Sequence, residues 1–163
     1  MSNQLPVTTR PICNRDESFI YNSWIRSYWE HSDWAKLMDK RVFDGQHHAL
    51  IQGLIENAKV LVAVNPDDFD HIFGYVAFDT IDALTVIHYV YVKSPYLRLG
   101  VGKKLLEATG YQQGMPLIAT HWTRPCKELR HKIPMVFIPY LAFQPRKGAL
   151  EQGVEIINAS KVS

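Results

Sequence analysis

The alternation of apolar and polar positions along the chain predicts short strands and helices in a mixed order. Leu5 to Ile12 has strand character, and its two prolines place it near a sheet edge. Asn14, followed three residues later by Glu17, has the spacing of a capping box and predicts a helix over about Arg15 to Glu30. The chain therefore begins with a strand and an aromatic-rich helix.

A second helix and three strands follow in the pattern. Asp44 and Gly45 offer a cap for a helix over Gln46 to Asn57. The next apolar runs are separated by turn residues, which predicts an antiparallel three-stranded meander. Its strands are Lys59 to Asn65, Ile72 to Asp79 and Leu84 to Lys93.

The remaining chain alternates helical and extended patterns. Helical spacing runs from Gly100 to about Gln113, with Val101, Leu105, Leu106 and Ala108 expected to face inward, and a strand from Pro116 to Trp122 should lie parallel to the Leu84 strand through a right-handed crossover. The last predicted elements are a short helix from Thr123 to about His131 and strands over Met135 to Phe143 and Val154 to Ile157.

These elements predict one α+β domain over residues 1–163, of the mixed α/β sheet type. We expect a mostly antiparallel sheet of six or seven strands with a splayed parallel pair and about four flanking helices. The length and the hydrophobic fraction of 47% fit a single globular core.

Composition narrows the class of protein. No leader and no apolar run of about 18 residues is visible, so we expect a soluble cytoplasmic protein with no membrane partner. A net charge of +2 does not indicate nucleic acid binding, although it does not exclude it. Cys13 and Cys126 lie far apart, and the adjacent His47 and His48 point about 100° apart on a helix, so we expect packed or solvated histidines and no metal.

The segment Ser94 to Gly102 joins the Leu84 strand to the next predicted helix. Gly100 and Gly102 permit a sharp strand-to-helix turn, which is one sufficient explanation for them. Such a turn also leaves several backbone N–H groups unpaired at the helix start, where the helix dipole favours an anion. Lys103 and Lys104 in the first turn favour this second interpretation, a phosphate cradle.

The order of elements and the segment from Val92 to Gly102 resemble the GCN5-related N-acetyltransferase (GNAT) superfamily. In that family a Val-x-Pro segment precedes Gln/Arg-x-x-Gly-x-Gly/Ala, which binds the pyrophosphate of acetyl-coenzyme A. This chain has Leu97 where Gln or Arg is usual, and Pro95 lies one residue further from Val92. Segments such as Phe19 to Tyr28 and His88 to Lys93 are also similar to small phage GNAT-like proteins, which would place the chain in the host cytoplasm.

The resemblance implies an acyl-CoA-dependent N-acyltransferase. It implies acetyl-CoA, or another acyl-CoA, as donor and a primary amine as acceptor, which attacks the thioester directly in a ternary complex. It also implies a bulge in the Leu84 strand and a gap in which the pantetheine arm pairs like an added strand. The cofactor-binding residues implied are Val90, Tyr91, Val92, Leu97, Arg98, Leu99, Gly100, Val101, Gly102 and Lys103.

Direct attack requires a base for the amine and an acid for the thiolate. His88 and His121 lie near the predicted gap and are the candidate bases, although each also fits a packed strand histidine. The short helix after Thr123 has no tyrosine to act as the acid, so Tyr140 is the candidate, with a core position as its alternative. Asp79 is interpreted as a turn carboxylate.

Substrate binding is assigned to aromatic residues of the first helix. Trp24 and Tyr28 lie one turn apart and would wall a substrate cleft, while most of that helix's aromatic stripe is expected in the core. Two other functions stay open from the sequence. One is a GNAT-fold enzyme that modifies nucleic acid, such as a phage DNA base; the other is a catalytically weakened GNAT-like binding module.

Overall fold

A computed structural model describes residues 4–143 of the chain and places six strands in one sheet. The strands are β1 (Thr8–Pro11), β2 (Lys59–Asn65), β3 (Asp68–Ile81), β4 (Leu84–Val92), β5 (Leu117–Ala119) and β6 (Met135–Phe137). Four α-helices flank the sheet in this part of the chain. They are α1 (Glu17–His31), α2 (Lys40–Asn57), α3 (Val101–Ala108) and α4 (Arg124–Leu129). The predicted fold class, a mixed and mostly antiparallel sheet flanked by about four helices, is confirmed.

The strands lie in the sheet in their order along the chain, from β1 to β6. The first four pair antiparallel, which confirms the predicted meander and the edge position of β1. β4 and β5 pair parallel in the register Thr85 to Leu117, as the crossover through α3 predicts. β5 and β6 are also parallel, with Leu117 opposite Met135, a second parallel pair that the sequence did not predict.

The β3–β4 hairpin is tighter than its predicted turn over Thr80 to Ala83. β3 continues to Ile81, and only Asp82 and Ala83 form the loop, with φ of 47° and 66°. Two left-handed residues in succession are typical of the two-residue turns that match strand twist. Asp79 therefore lies inside β3, opposite Val86, and its interpretation as a turn carboxylate is wrong.

Both early helices begin elsewhere than predicted. The capping box forms between Cys13 and Asp16, ahead of a short 3₁₀ turn, and not between Asn14 and Glu17. α2 begins at Lys40, because the Asp39 carboxylate accepts the backbone N–H of Arg41 at 2.9 Å. The predicted start at Gln46 is wrong, since Gly45 lies on the exposed side within the helix.

The later elements are shorter than the sequence suggested. α3 ends at Ala108, which is exposed, and Thr109 takes the buried position instead. After β6 the chain forms a 3₁₀ turn over Pro139–Ala142, because Pro139 has no N–H to continue a ladder. The predicted strand over Val154 to Ile157 lies outside the described residues.

The core has two layers, one on each face of the sheet. α1 and α2 cover one face with an aromatic cluster that includes Trp24, Tyr28 and Phe43, all buried, together with Tyr75 and Tyr89 of the sheet. α3 covers the other face through buried Val101 and Leu105. This arrangement leaves the β4–β5 junction between the two layers.

Candidate active site

β4 and β5 separate partway along their length. Their pairing covers three residue pairs and ends at Ile87 and Ala119, followed by one backbone bond from the Thr120 N–H to the Ile87 carbonyl at 3.1 Å. β4 then continues to Val92 with no β5 partner in the described structure. Val90 is 39% exposed although β4 is a central strand. We call this opening, between His88–Val92 of β4 and the chain after Thr120, the wedge.

A bulge in β4 marks the apex of the wedge. Ala77 of β3 pairs with Tyr89 and the next residue, Phe78, pairs with Ile87, so His88 is the extra residue. Beyond the bulge the Lys93 N–H donates to the Phe73 carbonyl of β3 at 2.9 Å. Because N–H groups alternate between the two sides of a strand, the amides of Val90 and Val92 point into the wedge.

The glycine loop follows directly at the open end of β4. Arg98 and Gly100 have φ of 63° and 88°, and Gly100 is the N-cap of α3. The first-turn N–H groups of a helix have no partner within it, and no acidic side chain lies in this first turn. Lys103 is exposed beside these groups. The loop thus offers backbone donors and positive charge to an anion.

Packing fixes the loop from beneath. Val101 is buried against the sheet, so only its backbone can contact a ligand. The Tyr96 hydroxyl lies 2.8 Å from Nε2 of His71, and its ring packs on Phe73 with centroids 4.6 Å apart. Among residues 4–143, a Cβ added at Gly102 would meet only Cγ2 of Val92, at 4.0 Å. The described chain thus leaves space at the Cβ position of Gly102.

The remaining predicted cofactor residues lie along the same path. Tyr91 turns its ring into the α1 side of the core, 5.5 Å from the Tyr75 ring, and by the same alternation its backbone N–H and C=O point toward β3. Leu97 and Arg98 are exposed, and the Leu99 carbonyl accepts the Leu5 N–H at 3.1 Å. The ten predicted residues therefore lie along one stretch of chain from the wedge to the start of α3, with Val101 and the Tyr91 ring turned into the core.

A chain of side-chain hydrogen bonds crosses the wedge apex on the α1–α2 side. The Asp79 Oδ2 lies 2.8 Å from Nε2 of His88, whose Nδ1 lies 3.1 Å from Oγ1 of Thr120. Thr120 Oγ1 is 3.0 Å from Nδ1 of His121, and Nε2 of His121 is 3.1 Å from Nε2 of His47. We call these five residues the histidine chain. It joins β3, β4, the end of β5 and α2.

With His88 in its neutral form, the carboxylate at one end sets the direction of every bond. An ionised carboxylate only accepts, so neutral His88 donates from Nε2 and leaves Nδ1 to accept the Thr120 hydroxyl. Thr120 then accepts from the Nδ1–H of His121, whose free Nε2 accepts from the Nε2–H of His47. All four donors therefore point toward Asp79.

Burial keeps the far end of the histidine chain neutral. Burial lowers the pKa of His121 well below its usual value, and the neighbouring His47 and His88 lower it further. Burial alone lowers the pKa of His47 to about 4. Tyr28 and Tyr89 border His121, and burial raises the pKa of both phenols. The two phenols beside these rings therefore stay neutral as well.

The other predicted site residues lie apart from the wedge surface. Trp24 and Tyr28 are fully buried, with Trp24 stacked on Tyr89 at 4.6 Å and Tyr28 at 4.9 Å from the His47 ring. They are core residues that hold the histidine chain, so the expected cleft wall is not found there. Tyr140 is 77% exposed on the turn after β6, and no side-chain hydrogen bond within residues 4–143 involves it.

Sequence reasoning missed Asp79, Thr120 and His47 as members of this site. For His47 a signal exists: with α2 starting at Lys40, it follows Phe43 by four residues and precedes Ile51 by four, on one buried stripe. Asp79 and Thr120 carry no such signal, because only the folded register brings them to His88.

Metal ligands and membrane-spanning helices are both absent from residues 4–143. Among these residues, no three His, Cys, Asp or Glu side chains lie in a group able to hold a metal ion. No helix in the same range combines the length and apolar character needed to cross a membrane.

Comparison with known proteins adds a family match. Residues 19–109 match the model of a family described as acetyltransferase (GNAT). No curated protein matches the sequence. A candidate acetyl transferase from Pyrococcus furiosus has a similar structure, with a TM-score of 0.51 and 17% identity over 91% of this chain and 90% of that one.

Two more solved structures are similar. One, described as histone acetyltransferase HPA2 and related acetyltransferase from Corynebacterium glutamicum, has a TM-score of 0.50 and 18% identity over 64% of this chain and 70% of its own. The apo form of YjaB from Escherichia coli has a TM-score of 0.46 and 16% identity over 64% of this chain. The chain covers 65% of YjaB, just under two thirds of its length.

Proposed function

The chain belongs to the acetyltransferase (GNAT) family, and from that premise we propose that it is an acyl-CoA-dependent N-acyltransferase. Its donor is acetyl-CoA or a related acyl-CoA, and its acceptor is a primary amine that attacks the thioester directly in a ternary complex. We propose a cytoplasmic location, that of the host if the chain is phage-encoded.

One observation carries the proposal: β4 and β5 separate immediately beside the glycine loop. An extended ligand with amide groups can pair with the wedge-facing amides of Val90 and Val92, as an added strand does. An anionic end then reaches the N–H groups at the start of α3. The pantetheine arm and the pyrophosphate of coenzyme A have these two properties in this order.

The loop has room for that ligand. In the described chain a methyl group placed on Gly102 would have only Val92 within contact distance, and this free space supports a close approach of phosphate oxygens to the backbone here. Arg98 and Lys103 supply exposed positive charge in place of the Gln or Arg usual at the Leu97 position. When bound, acyl-CoA supplies an activated thioester carbon for attack by the amine.

Residues of this chain take the proton from the acceptor ammonium in this proposal. A primary ammonium with a pKa near 10.4 is neutral in only about one part in 2,500 at pH 7, a penalty of roughly 4 to 5 kcal/mol. His88 at the bulge and His121 behind it are the proposed base system. The bulge amide at His88 is the proposed donor to the carbonyl oxygen, on which negative charge develops.

The aromatic residues expected at the site take a different part in this proposal. Trp24 and Tyr28 shape the site from the core by holding His47 and His121, and do not contact the acceptor. For Tyr140 to act as the proposed thiol-side acid, the turn after β6 must bring its hydroxyl to the wedge. Tyr140→Phe tests this, because it removes only the phenolic hydroxyl.

Calorimetry with acetyl-CoA and with CoA tests the proposal. We expect both to bind, and no heat of binding at millimolar ligand would leave a binding module without CoA as the better description. Thiol release is then measured with separate pools of peptides, polyamines, aminoglycosides and modified DNA. Turnover with amines supports the proposal, whereas turnover with DNA alone would replace it by nucleic-acid modification.

A further inference from the structure

The two candidate bases have no ring nitrogen free for a substrate. Both nitrogens of His88 are occupied, by Asp79 and Thr120, and both nitrogens of His121 are occupied, by Thr120 and His47. A base needs a free lone pair within hydrogen-bond reach of the proton that it takes. Neither imidazole can therefore take a proton from an amine directly while these bonds hold.

Thr120 is the member of the histidine chain whose hydroxyl can take the proton in place of an imidazole. It is the first residue beyond the last β4–β5 pair, and its hydroxyl spans the apex to His88. A hydroxyl oxygen has two lone pairs and one proton. When the imidazoles of the histidine chain are neutral, Oγ1 of Thr120 donates to His88 and accepts from His121, so this oxygen keeps one free lone pair.

The arrangement of Asp79, His88 and Thr120 has the geometry of a catalytic triad. A hydroxyl lies within hydrogen-bond reach of one imidazole nitrogen, and a carboxylate holds the other nitrogen. The carboxylate fixes the tautomer and stabilises the imidazolium that forms on proton uptake. Asp79 is 22% exposed at its side chain, while His88 and Thr120 are buried.

We propose that Thr120 is a proton shuttle between the reacting atoms and His88, with Asp79, His121 and His47 as positioning residues. This inference rests on the proposed acyltransferase function. As the amide C–N bond forms, Oγ1 takes the proton from the amine nitrogen and passes its own proton to Nδ1 of His88. As the C–S bond breaks, Nδ1 of His88 returns its proton to Oγ1, and Oγ1 passes the proton from the amine to the sulfur, which leaves as a thiol.

The shuttle also supplies the acid for which the short helix α4 has no tyrosine. The proton that leaves the amine is the proton that the sulfur receives, so the step needs no other donor and charge balances. Asp79 stabilises the intervening imidazolium by a charge-assisted hydrogen bond.

His121 and His47 have a distinct part in this arrangement. If Nδ1 of His121 lacked its proton, the Thr120 hydroxyl could turn to it and abandon His88. When the rings are neutral, the Nε2–H of His47 occupies Nε2 of His121, 3.1 Å away, and so favours the same tautomer that the Thr120 oxygen requires. The pair thus directs the Thr120 hydroxyl toward His88.

The first test compares Thr120→Val with Thr120→Ser. Valine keeps the shape and removes the hydroxyl, so turnover should fall about 100-fold or more while CoA affinity by calorimetry stays within about twofold. Serine should restore most of the loss. Thr109→Val is the matched control, since Thr109 is also buried and its hydroxyl bonds only to local backbone groups. Turnover of Thr120→Val near the wild-type rate would overturn the shuttle.

A second readout does not require the acceptor. Nitrogen NMR of the histidine side chains should find His88 protonated at Nε2 and His121 at Nδ1 in the wild type. Thr120→Val removes the acceptor of the His121 Nδ1–H and should move that proton to Nε2, where the His47 ring lies 3.1 Å away, whereas Thr120→Ser keeps the oxygen and should not. Wild-type rings with the opposite protonation would overturn the proposed direction. Loss of CoA binding by the wild type would instead refute the acyltransferase function and leave the NMR result standing.

Discussion

Gly102 lies beside Val92 with room for one methyl group, because an added Cβ would be 4.0 Å from Cγ2 of Val92, its nearest neighbour in the described chain. A substitution at Gly102 can therefore separate two effects that usually occur together in glycine loops, a disturbed fold and an obstructed ligand. A small side chain here should leave the fold intact and obstruct only what approaches from outside.

Gly102→Ala should weaken CoA binding by about tenfold or more with little change in thermal stability. The expected cause is a methyl group in the path of the phosphate oxygens, and calorimetry against CoA measures it. Gly45→Ala, at an exposed position of α2, is the matched control and should leave CoA affinity unchanged. Gly100→Ala is a poorer probe, since φ of 88° strains any side chain there. Unchanged affinity of Gly102→Ala would mean that the loop is only a turn.

Acid should destabilise the fold through His47. Its pKa is about 4 in the folded protein and near 6.5 when unfolded, so the unfolded chain binds the proton first as pH falls. The free energy of unfolding should therefore drop between about pH 6.5 and 4, by about 3 kcal/mol for this residue alone. Buried His121 acts with the same sign.

Urea denaturation at a series of pH values measures this drop. His47→Gln should flatten the curve, because glutamine does not titrate and still offers an N–H to His121. His48→Gln is the control at the exposed neighbouring position, where the ring stacks on Tyr21. A curve for His47→Gln as steep as that of the wild type would show that other groups cause the loss.

Asp16→Ala should cost about 3 kcal/mol of stability. Asp16 is buried and accepts two bonds from the Arg10 guanidinium, at 2.7 and 3.0 Å, so its removal leaves a partly buried charge unpaired. Burial opposes the ionised form, yet the bonds from Arg10 and Cys13 hold its pKa at about 2. Asp70→Ala is the contrast, because its ion pair with Arg15 is exposed and should be worth at most about 1 kcal/mol.

Gly74→Ala should destabilise the sheet by more than about 2 kcal/mol. An added Cβ would lie 2.2 Å from the Tyr91 carbonyl oxygen, which is backbone and cannot move aside without disturbing β4. Chemical denaturation gives the cost. A value below about 0.5 kcal/mol would contradict the close approach of β3 and β4 at this point.

The sequence predicted the elements whose signals are local. β2 has the expected bounds, since its alternation is uninterrupted, and the parallel crossover followed from α3 lying between β4 and β5. The start of α2 was wrong because Gly45 was interpreted as a boundary, although the Asp39 cap outweighs the cost of one exposed glycine. That error also concealed the buried stripe on which His47 lies.

The sequence led to the glycine loop, the strand before it, His88 and His121 as candidates for the site, but it did not predict which side chains meet. The glycine loop and the strand before it are adjacent in sequence, so motif and periodicity describe them together. The histidine chain joins Asp79, His88, Thr120, His121 and His47 from four elements. The bulge at His88 and the divergence after Ala119 decide which of these side chains meet, and neither has a marker in the pattern of apolar residues.

The unequal strand lengths determine where this sheet can accept another strand. Among residues 4–143 the outermost strands are β1, with four residues and Pro11 at its end, and β6, with three, and both are short templates for association between molecules. In the same part of the chain the edge of β4 beyond His88 has no strand partner on the β5 side and lies in the interior of the sheet, flanked by helices on both faces. The short outer strands thus limit aggregation through strand pairing. The β4 edge can still pair with a strand, but it lies where only a narrow, extended molecule can reach it.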